Sequence, residues 1–169
     1  KAYNSGVMVI AASGNEDEEG ISLDTDPRYP VCDIDGINRV FGVAAVDKDL
    51  KLTEFSNFGK DCIDISAPGT GFYSTNFQKS STTDFQTYYS NGWNGTSVAT
   101  PVISGTAALI KMNFPELRPF DIYSILSSSA QSLQRTNPVH HIDLGADLVD
   151  GGEAINLAYD YANQDIKII

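Results

Sequence analysis

Two short runs hold side chains suited to chemistry. The first is Asn94-Gly95-Thr96-Ser97-Val98-Ala99-Thr100-Pro101, which opens an apolar stretch with the look of a buried helix. Ser97 then falls at a helix N-terminus, where backbone N–H groups point at open space and favour a developing negative charge. A serine there can act as a nucleophile while its own N–H helps hold an oxyanion. The same position suits a plain N-cap, for which Ser97 and Thr96 are both good residue types. The second run is Ser13-Gly14-Asn15, at the exit of an apolar segment. Ligands of parallel α/β sheets gather at the carboxyl ends of strands, and an asparagine there can present an amide donor. Alone, Asn15 reads equally as a turn residue that tolerates left-handed geometry.

Taken together the two runs are more specific. Ala11-Ala12-Ser13-Gly14-Asn15, followed by Gly95-Thr96-Ser97-Val98-Ala99-Thr100-Pro101 with Ser97 82 residues after Asn15, resembles the subtilisin-like serine proteases. Gly105 stands where that family has a glycine four residues beyond the proline. Tyr29-Pro30, Val43-Ala44-Ala45-Val46-Asp47, Phe55-Ser56-Asn57-Phe58-Gly59 and Asp64-Ile65-Ser66-Ala67-Pro68-Gly69 follow in the family's order. Gly151-Gly152-Glu153-Ala154-Ile155-Asn156 resembles its closing helix, so the likeness runs from about Tyr3 to Tyr161.

The resemblance implies that Ser97 is the nucleophile of an endopeptidase working through an acyl-enzyme. It implies that Asn15 is the side-chain donor of the oxyanion hole, paired with the Ser97 N–H. Ala12, Ser13 and Gly14 would wall the pocket for the residue before the scissile bond, with Asn94 also on the substrate. Calcium is the implied cofactor and Asp64 its implied ligand; Asp33, Asp35 and the Glu16–Glu19 cluster are looser candidates, and no spacing matches a dedicated calcium loop. The family's chain order is Asp, His, Ser. No Asp or His precedes Asn15, and His140 and His141 follow Ser97 in a polar stretch that reads as loop. The expectation is therefore the C-terminal portion of a single peptidase domain over residues 1–169. Its Asp and His would come from an upstream segment or a second chain, and exposed apolar surface would await that partner. A non-catalytic binding or regulatory module on the same scaffold is the alternative. An α/β-hydrolase esterase fits less well, because Ala99 stands where Gly-x-Ser-x-Gly needs its second glycine.

The elements that must position these residues are α/β in pattern: a mostly parallel sheet flanked by helices, with the N-terminal part of the fold absent. Val7–Ala12 is a short apolar run, expected as a strand buried on both faces. Val40–Val46 and Asp61–Ala67 are the next strands, the latter closed by Pro68-Gly69. Ser74–Asn91 is rich in Ser, Thr, Gln and Asn and reads as a long surface loop with one or two short edge strands; its Ser80–Asn91 part leads to Trp93-Asn94 and would border the substrate cleft. Ser97–Met112 is apolar nearly all round, which predicts a buried helix with Pro101 near its first turn. Further helices are expected from Pro119, with Ile122, Ile125 and Leu126 on one face, and from about Gly152 to Ala162 with Asp150 as cap.

Composition narrows the classes. At 169 residues the chain suits one domain on the usual prior of ~150 residues each. Its 11 basic and 22 acidic residues leave a formal charge of −11, which argues against nucleic acid and anionic membrane as partners. No apolar run approaches the ~18 residues of a membrane span, and no signal-peptide core is visible near Lys1. The acidic stretch around Glu16–Asp35 reads as a solvated loop, with a calcium site or a subsite for basic substrate residues as sharper readings. Cys32 and Cys62 are either one bridge or two thiols. Secretion to an extracellular space, periplasm or cell surface follows from the resemblance.

Overall fold

The computed structural model describes residues 2–16, 18–32, 39–76 and 87–163. Three parallel strands form its centre in the order β1 (Val9–Ala12), β2 (Val40–Val46), β3 (Ile65–Pro68). Val9 pairs with Val40 and Val43 with Ile65, so the carboxyl ends of all three strands lie at one edge. Strands β4 (Phe72–Thr75) and β5 (Tyr89–Trp93) make a separate antiparallel hairpin. Helices α1 (Thr96–Asn113), α2 (Pro119–Ser128) and α3 (Gly151–Ala162) complete the order.

The central strand shows why its sequence is an unbroken apolar run. Phe41, Val43 and Ala45 face α1 through Ala99, Ile103, Ala107 and Ile110, with α2 and α3 closing the same core. Ala44 and Val46 face the other way, onto Leu23, Val31, Leu133, Leu144 and Leu148. Among the described residues helices thus cover one face and loops the other. The Cys32–Cys62 disulfide staples the loop layer, with Cα atoms 4.7 Å apart. Gly42 is obligatory in β2, because a Cβ there would sit 1.9 Å from the Cys62 carbonyl oxygen. Residues 146–149 run beside β3, the Ser66 N–H donating to Asp147 O (2.8 Å) and the Val149 N–H to Ser66 O (2.9 Å).

Four expectations need correction. β1 is half-buried, because β2 is its only neighbour in the sheet among the described residues. α1 is buried on one side only: Leu109 is 51% and Met112 70% exposed, since the sheet occupies just its inner face. Pro101 lies in the second turn of α1 rather than the first. The third strand is also shorter than read, because 60–62 turn before β3 begins. α2 and α3 match their expected spans, and the Asp150 carboxylate caps α3 by accepting the Glu153 N–H at 2.9 Å.

Candidate functional site

The site is built where β1 ends. The Ser13 N–H donates to Val43 O at 2.9 Å, which carries the strand one residue past Ala12. The Ser13 side chain turns inward, 1% exposed, beside Ser56. Gly14 then adopts a φ of +106°, and a Cβ there would lie 2.6 Å from Asn57 Nδ2, so only glycine fits. This bend turns Asn15 outward, where it is exposed.

Asn15 is held by the helix that follows it 81 residues later. Its Oδ1 accepts the Thr96 N–H at 2.8 Å and the Thr96 hydroxyl at 3.1 Å. The Thr96 oxygen in turn accepts the Gly14 N–H at 3.2 Å. Two donors on one amide oxygen fix which end of the amide is which, so Nδ2 faces away from Thr96. A turn aligns the helix: the Gly95 N–H donates to Gly69 O at 2.8 Å, directly after β3. Gly95 itself has a φ of +142°, and a Cβ on it would meet Ser97 Oγ at 3.1 Å and the Asn15 amide, Nδ2 at 3.5 Å and Oδ1 at 3.6 Å. The nucleophile candidate and the amide donor therefore flank one small space left open by that glycine.

Ser97 is exposed, in the first turn of α1, where backbone N–H groups have no helical acceptor. An oxyanion in the space over Gly95 would meet the Asn15 amide and the positive end of the helix dipole. Ser97 also lines a cleft of about 540 Å³ with Phe72, Tyr73, Trp93, Val98 and Pro101. Of the Ser/Thr-rich region Ser74 and Thr75 line this cleft, whereas 87–91, the described part of the Ser80–Asn91 run, do not; residues 77–86 lie outside the described ones.

The remaining expected residues fall elsewhere. Asn94 Oδ1 accepts the Gly71 N–H at 2.7 Å, pinning the hairpin to the helix entrance. His140 and His141 are in a turn region: His140 Nδ1 is 3.2 Å from Asp143 Oδ2 and its ring packs on Phe58, while His141 Nδ1 is 3.2 Å from Pro138 O. Neither is brought to Ser97. Asp64 Oδ2 accepts the Gly42 N–H at 2.7 Å. Its recess also includes Asp24 and Asp61, but the Asp24 carboxylate takes the N–H groups of Lys60 (3.2 Å) and Asp61 (3.0 Å). Among the described residues no three acidic, His or Cys side chains gather around a cation position, so these donors by themselves do not fit a calcium cage. Asp33, Asp35 and Asp17 lie outside the described residues; Glu18, Glu19, Asp24 and Asp26 are exposed, as a solvated loop requires. No described helix is long and apolar enough to cross a membrane.

Two residues bonded to the Asn15 bend were not singled out from sequence. Thr96 was readable only as a possible cap, yet it is the residue that orients Asn15. Asn57, inside the Phe55–Gly59 motif, lies against Gly14; the one signal for it was a polar pair within an otherwise aromatic motif.

Known proteins resemble this chain over most of its length. The model of the subtilase family matches residues 1–145. Subtilisin DY of Bacillus licheniformis is 37% identical over 136 residues, covering 79% of this chain and 43% of its own length. Subtilisin Savinase of Lederbergia lenta is 38% identical over 136 residues, covering 80% of this chain and 43% of its own. Among solved structures, a protease from Pseudoalteromonas arctica PAMC 21717 superposes with a TM-score of 0.72 at 31% identity, over 92% of this chain and 44% of that one. The chain thus spans less than half the length of these relatives. The matched region includes the Asn15 bend, the Thr96 anchor and the Ser97 helix start, and the chain belongs to the subtilase family.

Proposed function

We propose that this chain is the C-terminal portion of a subtilisin-like serine endopeptidase domain, with Ser97 as nucleophile and Asn15 as oxyanion donor. The observation that carries this reading is the locked amide: Asn15 Oδ1 is committed to Thr96, which leaves Nδ2 as its free donor, and the amide borders the space over Gly95 together with Ser97 Oγ. In the reaction Ser97 Oγ attacks the peptide carbonyl while a base takes its proton. Charge on the carbonyl oxygen is met by Asn15 Nδ2 and the Ser97 N–H. The proton passes to the leaving amine as the C–N bond breaks, and water then hydrolyses the acyl-enzyme. Base and orienting carboxylate come from the remainder of the catalytic domain, which would also cover the open side of β1 and the outer face of α1. Ala12, Ser13 and Gly14 contribute backbone to the wall of the pocket before the scissile bond, and Asn94 stands at its rim.

The substrate is polypeptide and the location extracellular, periplasmic or at the cell surface, a reading supported by the disulfide. Calcium is carried by the resemblance alone, with Asp64 as one ligand that would need others from beyond the described side chains, and takes no part in these steps. A melting temperature indifferent to calcium removes it. The catalytic reading is tested on the full-length protein with a peptidyl phosphonate and peptide mapping. Labelling at Ser97, with turnover abolished by Ser97→Ala, is expected. Peptide binding without labelling or cleavage would instead establish the non-catalytic module.

A further inference from the structure

Asn15 is gripped from two sides, and the second grip has its own chemistry. Asn57 is 1% exposed, in the segment between β2 and β3. Its main-chain N–H donates to Gly14 O at 3.2 Å. Its side-chain Nδ2 donates to Ser13 O at 3.1 Å and to Glu16 Oε1 at 3.3 Å, while Oδ1 accepts the Ile21 N–H at 3.0 Å. Neighbouring Ser56 fixes this clamp to the sheet: its Oγ accepts the Ala45 N–H at 3.0 Å and donates to Asn57 O at 3.0 Å. The Glu16 N–H completes it by donating to Phe55 O at 2.9 Å. Every residue flanking Asn15, from Ser13 to Glu16, is thus bonded to 55–57. Thr96 bonds the Asn15 side chain and the Gly14 N–H.

We propose that Asn57 is a positioning residue for the oxyanion donor: its buried amide sets where the Asn15 main chain stands relative to Ser97. This rests on the catalytic reading above. A fully buried, fully bonded amide cannot move without breaking several hydrogen bonds at once, so it transmits the rigidity of β2 to Asn15. The absent Cβ of Gly14 is the space into which Asn57 Nδ2 fits. Asn57 touches no substrate, and its effect reaches the reaction only through Asn15.

The test uses the full-length protein, with active sites titrated so that turnover is counted per folded molecule. Asn57→Ala, Asn15→Ala and the double variant are compared for kcat, KM and affinity for a peptide aldehyde, which forms a tetrahedral adduct. Asn57→Ala is expected to lower kcat by about 10- to 100-fold, the scale of an ångström-level misplacement. KM stays unchanged and aldehyde affinity falls in parallel with kcat. In the Asn15→Ala background the same substitution should change kcat by less than about twofold, within the scatter of independent sites. If Asn57→Ala yields no titratable sites, Asn57→Ser, which keeps a hydroxyl donor near Ser13 O, is read in its place. An undiminished Asn57 effect in the Asn15→Ala background, or an effect on KM alone, overturns the proposal while leaving the catalytic reading intact. An unchanged kcat in Asn15→Ala overturns the oxyanion assignment and this proposal with it.

Discussion

Thr96→Val isolates the hydroxyl that locks the Asn15 amide. Valine is close to isosteric with threonine, and the site is fully buried, so shape is retained and only the oxygen is lost. Two hydrogen bonds disappear, the one to Asn15 Oδ1 at 3.1 Å and the one from the Gly14 N–H at 3.2 Å. The main-chain bond from Thr96 to Asn15 Oδ1, at 2.8 Å, remains. Complete loss of such an asparagine donor costs about 10²–10³ in turnover in subtilisin itself, a magnitude carried over from that relative rather than worked from this geometry. Thr96→Val removes one of two restraints on the amide, worth about one neutral hydrogen bond or ~1 kcal/mol. That corresponds to about fivefold in kcat, with KM unchanged because the bond matters most when charge develops. The Gly14 N–H loses its acceptor as well, at a further ~1 kcal/mol of folding stability. Thr96→Ser keeps the oxygen and should leave kcat within about twofold. The assay is steady-state hydrolysis of a chromogenic peptide by the titrated full-length enzyme, with urea unfolding alongside. An unchanged kcat in Thr96→Val, or an equal loss in Thr96→Ser, refutes the two-restraint account.

Two further predictions concern stability. The Cys32–Cys62 bridge spans 30 residues, and loop-closure entropy for that span is worth about 3.6 kcal/mol at 25 °C. Replacing both cysteines by serine should shift the urea midpoint accordingly, and a loss below ~1 kcal/mol shows that the bridge does not constrain the unfolded chain. The Arg118 guanidinium beside Asp121, with its main-chain N–H on the same carboxylate at 2.8 Å, holds the Asp121 carboxyl below the ordinary carboxylate value. A depressed folded-state value means the stabilisation is fully present above the unfolded pKa and is lost as pH falls through the folded one. Asp121→Asn should therefore cost about 1–2 kcal/mol near neutrality and nothing in strong acid, and a difference constant with pH rules this out.

The residues named from sequence and those found only in the fold differ in kind. Ser97 and Asn15 were legible because chemistry restricts their types and because each follows a strong backbone signal, a helix start or a strand end. α2 and α3 were legible for similar local reasons: Pro119 and Asp150 mark their first turns, and the apolar spacing behind them is helical. Thr96 and Asn57 were not, because a buried polar side chain on a turn is specified by a partner distant in sequence. Thr96 answers to Gly14 and Asn15, Asn57 to Ser13 and Ile21. Burial was misjudged in β1 and α1 for a third reason. Their apolar patterns encode two covered faces, yet Met8, Ile10, Ala107, Ala108 and Ile122 line one continuous groove between β1, α1 and α2. The two errors are distinct: the open side of β1 borders this groove, while the exposed Leu109 and Met112 of α1 lie outside it. An apolar run on both faces calls for a second covering surface, and the groove marks where β1, α1 and α2 leave one open among the described residues.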